Sequence, residues 1–326
     1  MKRILITGGN GYIGARLSFY LAEKGNEITV QCYPFVPDNK EWARRMHKIV
    51  AGDIRDDLFL NELVSDKFDI VIHLVSLDHF HSQKDPETVL SINVLPTWKL
   101  LYSLKSSNLQ KFIYFSTIHV YGALPAAQIT EEQQPNPQNA YALTHLLSED
   151  ICSYFNRISD IQCINLRLSN SFGSPVFQDA NCWWLVINDL CRNAFFEKKI
   201  VISSDGSPVR DFIHYTDLCE AVNCLISMDQ NNGENNCYHV SSGRSYTILK
   251  IAEIIASVYK NVFGSEIPVF INKNEKIDRF PATSSKERFI IDNSRLSALH
   301  YTPSVSLEEG IKELFYYFIS LKEKHA

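Results

Sequence analysis

Residues 137–150 read PQNAYALTHLLSED. Tyr141 and His145 stand four apart there, about one helical turn, so both rings project from one face. A phenol of ordinary pKa about 10 beside an imidazole of about 6.5 can pass protons to and from a substrate oxygen. The imidazole, mostly neutral at pH about 7, still donates one hydrogen bond and accepts another. A second kind of chemistry is written in residues 7–14, TGGNGYIG. Gly8, Gly11 and Gly14 follow an apolar run and open a helical pattern. Glycine permits the tight turn and lets the backbone approach a diphosphate, whose charge then faces the helix N-terminus. That combination predicts dinucleotide binding.

The elements that must position these groups alternate strand and helix. RILIT (3–7), EITVQC (27–32), HKIVAGD (47–53), IVIHLVS (70–76), KFIYFST (111–117) and IQCINLRLS (161–169) read as strands. Several are continuous apolar runs of the kind buried in parallel sheets. Helical spacing falls at 13–24, 56–65, 89–104 and 140–157, with Pro96 predicting a kink or a helix start. This rhythm predicts an α/β fold, a doubly wound parallel sheet of the Rossmann type with right-handed crossovers. From about residue 171 the alternation breaks, and helices at 181–196, 247–260 and 306–322 suit a smaller C-terminal lobe. The expected division is a dinucleotide-binding domain over 1–170, to which the chain returns around 211–242, and a substrate-binding lobe mainly over 171–326.

Composition narrows the partners. The chain has 326 residues, 45% hydrophobic and 21% charged, with a net charge of −5. No run of Lys or Arg suggests a nucleic-acid stripe, and no stretch approaches the ~18 apolar residues of a membrane span. The eight cysteines form no CxxC pair and no metal-ligand spacing, so buried free thiols in a reducing, cytoplasmic compartment are expected and no metal site.

TGGNGYIG, AGDIRDD (51–57), IHLVS (72–76), FSTIHVYG (115–122), the Tyr141 segment, LRLSNSFG (166–173), VRDFIH (209–214) and YHVSSG (238–243) follow one another along the chain. In this the chain resembles the extended short-chain dehydrogenase/reductases, most closely their nucleotide-sugar epimerase and dehydratase branch. The resemblance implies that Gly8, Gly11, Tyr12, Ile13 and Gly14 bind the dinucleotide. It places Asp53 and Ile54 near its adenine, with Ser76 and Asn93 flanking it. NAD-preferring relatives commonly carry Asp where this chain has Cys32, which accepts ribose hydrogen bonds poorly. No arginine follows to hold a 2′-phosphate, so NAD is the expected cofactor and NADP the alternative.

The resembled family's catalytic set is Ser or Thr, Tyr and Lys. Thr117 and Tyr141 match the first two, and His145 stands at the lysine position. Ser116, Asn170, Arg210 and Arg279 match substrate-side positions, the arginines as phosphate ligands. Trp183 and Trp184 read as a buried aromatic pair, and His119 is expected to face a loop. Related 4,6-dehydratases carry Asp-Glu directly after the threonine. Here Ile118 and His119 stand there, which disfavours water elimination. The reaction implied is NAD(P)-dependent epimerisation of a nucleotide-diphosphate sugar by transient oxidation at a ring carbon, C4. The alternatives are a 4-ketoreductase or 4-dehydrogenase, and a dinucleotide sensor whose catalysis has faded. A homodimer paired through 86–107 and 140–157 is implied by the same resemblance.

Overall fold

The computed structural model describes residues 1–83, 85–125, 127–229, 236–271 and 287–324. Its strands are β1 (Arg3–Thr7), β2 (Glu27–Cys32), β3 (Lys48–Ala51), β4 (Ile70–His73), β5 (Lys111–Thr117), β6 (Gln128–Ile129), β7 (Gln162–Leu168), β8 (Asn170–Phe172), β9 (Ile200–Ile202), β10 (Val209–His214), β11 (Cys237–Val240), β12 (Ser245–Thr247), β13 (Val269–Ile271) and β14 (Ile290–Ile291). Its helices are α1 (Tyr12–Glu23), α2 (Lys40–Arg45), α3 (Asp57–Ser65), α4 (Pro86–Asn93), α5 (Leu95–Leu104), α6 (Ala140–Ile158), α7 (Val186–Glu197), α8 (Tyr215–Ser227), α9 (Ile248–Phe263), α10 (Ser294–Ser297) and α11 (Leu307–Lys324).

Seven strands form one sheet in the order β3-β2-β1-β4-β5-β7-β11. Every neighbouring pair is parallel. Buried on both faces, these strands need apolar residues at successive positions, which is why they read as unbroken runs. The two-residue period still sorts them. Ile4 and Ile6 of β1 pack with Leu17 and Leu21 of α1 and Val222 and Leu225 of α8. Leu5 turns the other way, into a core with Leu60 of α3, Leu101 of α5 and Phe155 of α6. The strand order reverses between β1 and β4, and a crevice outside the carboxyl ends opens there.

The remaining elements build around a third core. Ile187 and Leu190 of α7, Ile251 and Ile255 of α9, and Leu314 and Phe315 of α11 enclose Phe172 of β8 and Phe212 of β10. β10 lies between β12 and β8 in a separate three-stranded sheet, so it is set apart from the large sheet that α8 and β11 join. Pro96 acts as the sequence predicts: α4 ends at Asn93, Val94 forms the joint, and Pro96 occupies the first turn of α5.

Candidate active site

α6 begins where the Asn139 side chain accepts a hydrogen bond from the Ala142 N–H at 2.9 Å. This cap fixes Tyr141 in the first turn and His145 one turn on, their ring centroids 4.5 Å apart and edge to face. His145 is only 3% exposed. Tyr141 keeps part of its surface toward a cavity of about 490 Å³ at the carboxyl ends of β1, β4 and β5. Thr117, the last residue of β5, is buried in the same wall.

Burial pushes the Tyr141 phenol up to about 12, the Thr117 hydroxyl opposing the rise and the Asp78 carboxylate adding to it. Burial pushes His145 down to about 4, with the Phe115 backbone opposing. Near neutral pH the site therefore rests with a protonated phenol and an uncharged imidazole. A lysine ammonium here would bring a positive charge that favours phenolate; this imidazole brings none.

The imidazole is held on both sides. Its Nε2 lies 3.3 Å from Ser76 Oγ, and its Nδ1 lies 2.8 Å from the Tyr114 hydroxyl. Asn93 is fully buried and outside the cavity wall. Its Oδ1 accepts from the Leu77 N–H at 2.8 Å and its Nδ2 donates to Thr144 at 2.9 Å, tying the loop after β4 to α6.

Gly8, Gly11, Tyr12, Ile13 and Gly14 line the same cavity. Two positions of the cradle tolerate no side chain: a Cβ on Gly14 would lie 2.2 Å from the Gly8 carbonyl oxygen, and Gly8 itself has φ +72°. Among the described residues, α1 has neither a side-chain cap nor an acid in its first turn. Its free N–H groups and dipole thus suit a diphosphate. Gln31 braces the loop, accepting from the Gly8 N–H at 3.0 Å and donating to the Gly52 carbonyl at 2.7 Å. Asp53 and Ile54 do not line the cavity. Asp53 grips Arg55 through both carboxylate oxygens at 2.9 Å, which holds its pKa below the usual range, and Ile54 is buried beside Leu5. Cys32 is buried with its thiol pushed up to about 11, a neutral group at the end of β2.

On the far side stand Asn170 and Arg210. Asn170 Nδ2 donates to the Asp211 carbonyl at 2.9 Å, and Arg210 Nη1 to the Val209 carbonyl at 2.9 Å. Ser116 borders the cavity but donates its hydroxyl to Glu149, which also binds Arg167 in a buried ion pair. Arg279 lies outside the described residues. The tryptophan pair separates: Trp183 packs on Phe318 in the third core, whereas Trp184 lines the cavity and meets Phe80 edge to face.

His119 departs from the sequence expectation. The 3₁₀ turn Ile118–Tyr121, capped by Thr117, swings its ring into the cavity, 6.2 Å from that of Tyr141. Burial, aided by the Arg210 charge, holds it down to about 3. Tyr114, Gln31, Asp78 and His79 also contribute to the site or its walls and carry no motif that singles them out. All eight cysteines are free thiols. Among the described residues, no cluster of His, Cys, Asp and Glu could hold a metal and no helix is long and apolar enough to cross a membrane.

A parallel sheet with a glycine cradle at its switch point, and a tyrosine one helical turn from an imidazole across the crevice, defines a dinucleotide-dependent α/β oxidoreductase-type site. The chain belongs to the NAD dependent epimerase/dehydratase family, whose model matches residues 4–241. It is 25% identical over 324 residues to the low-salt glycan biosynthesis protein Agl12 of Haloferax volcanii, covering 97% of this chain and 98% of that protein. It is 26% identical over 302 residues to a UDP-glucose 4-epimerase of Halalkalibacterium halodurans, covering 87% of each. In fold it is similar to a UDP-glucuronic acid 4-epimerase from Bacillus cereus in complex with UDP-glucuronic acid and NAD. That likeness has a TM-score of 0.79 at 23% identity and covers 98% of this chain and 99% of the other.

Proposed function

We propose that this protein is an NAD-dependent nucleotide-sugar epimerase that inverts a ring carbon, C4, through a transient keto sugar. The carrying observation is one cavity that holds the glycine cradle, Thr117 and Tyr141, with Asn170 and Arg210 opposite. Relatives named as UDP-glucose 4-epimerases support the substrate class. Gly8, Gly11 and Gly14 with the α1 N-terminus hold the diphosphate of NAD, Tyr12 and Ile13 continue that wall, and Ser76 and His145 face its nicotinamide ribose. Asp53 and Ile54 are assigned to the adenine end. When bound, NAD supplies reversible hydride acceptance. Tyr141 takes the proton of the C4 hydroxyl as phenolate and returns it as phenol, while Thr117 polarises the same oxygen. Arg210 binds the sugar diphosphate and Asn170 orients it, with Ser116 beside them and Arg279 as a second phosphate ligand. The division of labour proposed is cofactor binding by residues 1–170 and substrate binding mainly by 171–326.

The test is incubation with a panel of UDP-, GDP-, CDP- and dTDP-sugars. Interconversion of C4 epimers with no net NADH supports the reading. Consumption of NADH with a keto sugar would replace it with a ketoreductase. One observation favours a third reading, dinucleotide binding without turnover: the buried, uncharged imidazole at 145. Binding of NAD with no sugar-nucleotide binding would establish it.

The electrostatics fix a pH dependence. The oxidative half needs phenolate, and the phenol sits at about 12. Turnover is therefore expected to climb from pH about 7 toward about 10, the base form growing roughly tenfold per unit below the phenol pKa. In His145→Lys the ammonium favours phenolate, so the curve moves to lower pH. A flat profile in the native chain would contradict this.

We place the protein in the cytoplasm as a homodimer. Leu95, Trp98 and Tyr102 of α5 and Leu143, Leu147 and Tyr154 of α6 are exposed, and Trp98 stacks on Tyr154 at 5.7 Å. Such a patch suits a helix-to-helix interface with a second copy. Leu147→Asp is expected to halve the mass found by light scattering; a native chain already of single-copy mass would refute the dimer.

A further inference from the structure

The Tyr114 hydroxyl is a buried polar group that the mechanism above does not use. Tyr114 is 1% exposed and sits in the middle of β5. Phenylalanine would fill that core position equally well, so the hydroxyl needs a reason. Its ring tilts against His145 and His73, and its oxygen lies 2.8 Å from His145 Nδ1.

Proton accounting gives the direction of that bond. Ser76 Oγ lies 3.3 Å from His145 Nε2 and donates its own proton to the Leu77 carbonyl at 2.9 Å. Its oxygen is then left to accept, which assigns the hydrogen to Nε2, and the Phe115 backbone, also against the ring, likewise favours a ring N–H. Ser148 also lies against the Tyr114 hydroxyl, and its proton goes to the Asn93 carbonyl at 3.0 Å. The uncharged imidazole has a single N–H, so Nδ1 is the lone pair and the Tyr114 O–H donates to it. Burial raises the Tyr114 phenol well above its usual range, so this donor keeps its proton.

We propose that Tyr114 is a positioning residue: it holds the Nδ1 lone pair of His145 and thereby directs Nε2–H toward the cavity beside Ser76. There that single donor, which rests on Ser76 Oγ at 3.3 Å, turns to the ribose of the nicotinamide end when the dinucleotide binds, a place where the resembled family uses a cation. The assignment of the ribose rests on the dinucleotide reading given above; the tautomer does not.

The experiment uses the full chain with Tyr114→Phe, His145→Lys and the double variant. Long-range ¹H–¹⁵N spectra of the native protein, without substrate, are expected to show His145 as the Nε2–H tautomer. In Tyr114→Phe its nitrogen shifts move toward a mixture of tautomers. Dinucleotide affinity and turnover are expected to fall about fivefold to tenfold with His145 present, the scale of one buried neutral hydrogen bond. In the His145→Lys background the side chain has no imidazole lone pair to orient, and there Tyr114→Phe should change them by less than about twofold. A native Nδ1–H tautomer overturns the proposal, and so does an equal loss in both backgrounds, which marks a packing role. Should the protein turn over no nucleotide sugar, the spectra and the dinucleotide titrations still decide Tyr114, and only the epimerase reading falls.

Discussion

Tyr141→Phe is expected to lower turnover by about three orders of magnitude while dinucleotide affinity stays within a factor of about two. The reason is local. The phenol is the titratable oxygen paired with Thr117 at the end of β5, and removing it removes the group that accepts and returns the sugar proton. The ring itself packs edge to face on His145, and phenylalanine keeps that contact. Unfolding temperature should therefore be unchanged. Initial-rate assays beside a fluorescence titration with NAD check both halves. Equal rates for mutant and native chain would remove Tyr141 from the reaction.

Gly14→Ala is expected to have the second largest effect, and on binding instead of chemistry. The new Cβ would sit 2.2 Å from the Gly8 carbonyl oxygen and 3.0 Å from its carbon, both backbone atoms that cannot swing away. The loop must shift off the diphosphate position, at the overpacking scale of about 1–3 kcal/mol, or roughly 5- to 150-fold in dinucleotide affinity. Gly11→Ala is the control, because its Cβ would meet only the Gly8 oxygen, at 3.2 Å. Calorimetric titration should rank native, Gly11→Ala and Gly14→Ala in that order. Equal affinities for native and Gly14→Ala would show that the diphosphate lies elsewhere.

The sheet was legible because its strands are short apolar runs separated by helical periods and glycine turns, and RILIT, EITVQC and KFIYFST match β1, β2 and β5 residue for residue. The pairing of Tyr141 with His145 was legible for a related reason, since four-residue spacing puts two rings on one helix face wherever the helix lies. His119 turns into the cavity and not toward a loop, and the sequence hides this because a one-turn 3₁₀ segment leaves no periodic mark and its Thr117 cap decides which way the ring turns. Tyr114 was invisible for another reason: in a strand buried on both faces a tyrosine reads as one more apolar residue, and only the distance to Nδ1 reveals its hydroxyl. The adjacent tryptophans divide between a packed core and the cavity because Trp183 finds Phe318 of α11, a contact more than a hundred residues away in sequence.

In the proposed reaction a hydride leaves the sugar's C4 and returns to that same carbon while Tyr141 shuttles the proton. The direct measurement uses the nucleotide sugar that the panel selects, deuterated at C4 and incubated with the protein in ordinary water, with the product read by mass spectrometry and NMR. The inverted product is expected to keep its deuterium at C4, with none passing to solvent. Inverted product whose C4 deuterium has been replaced by hydrogen from water would contradict that reaction.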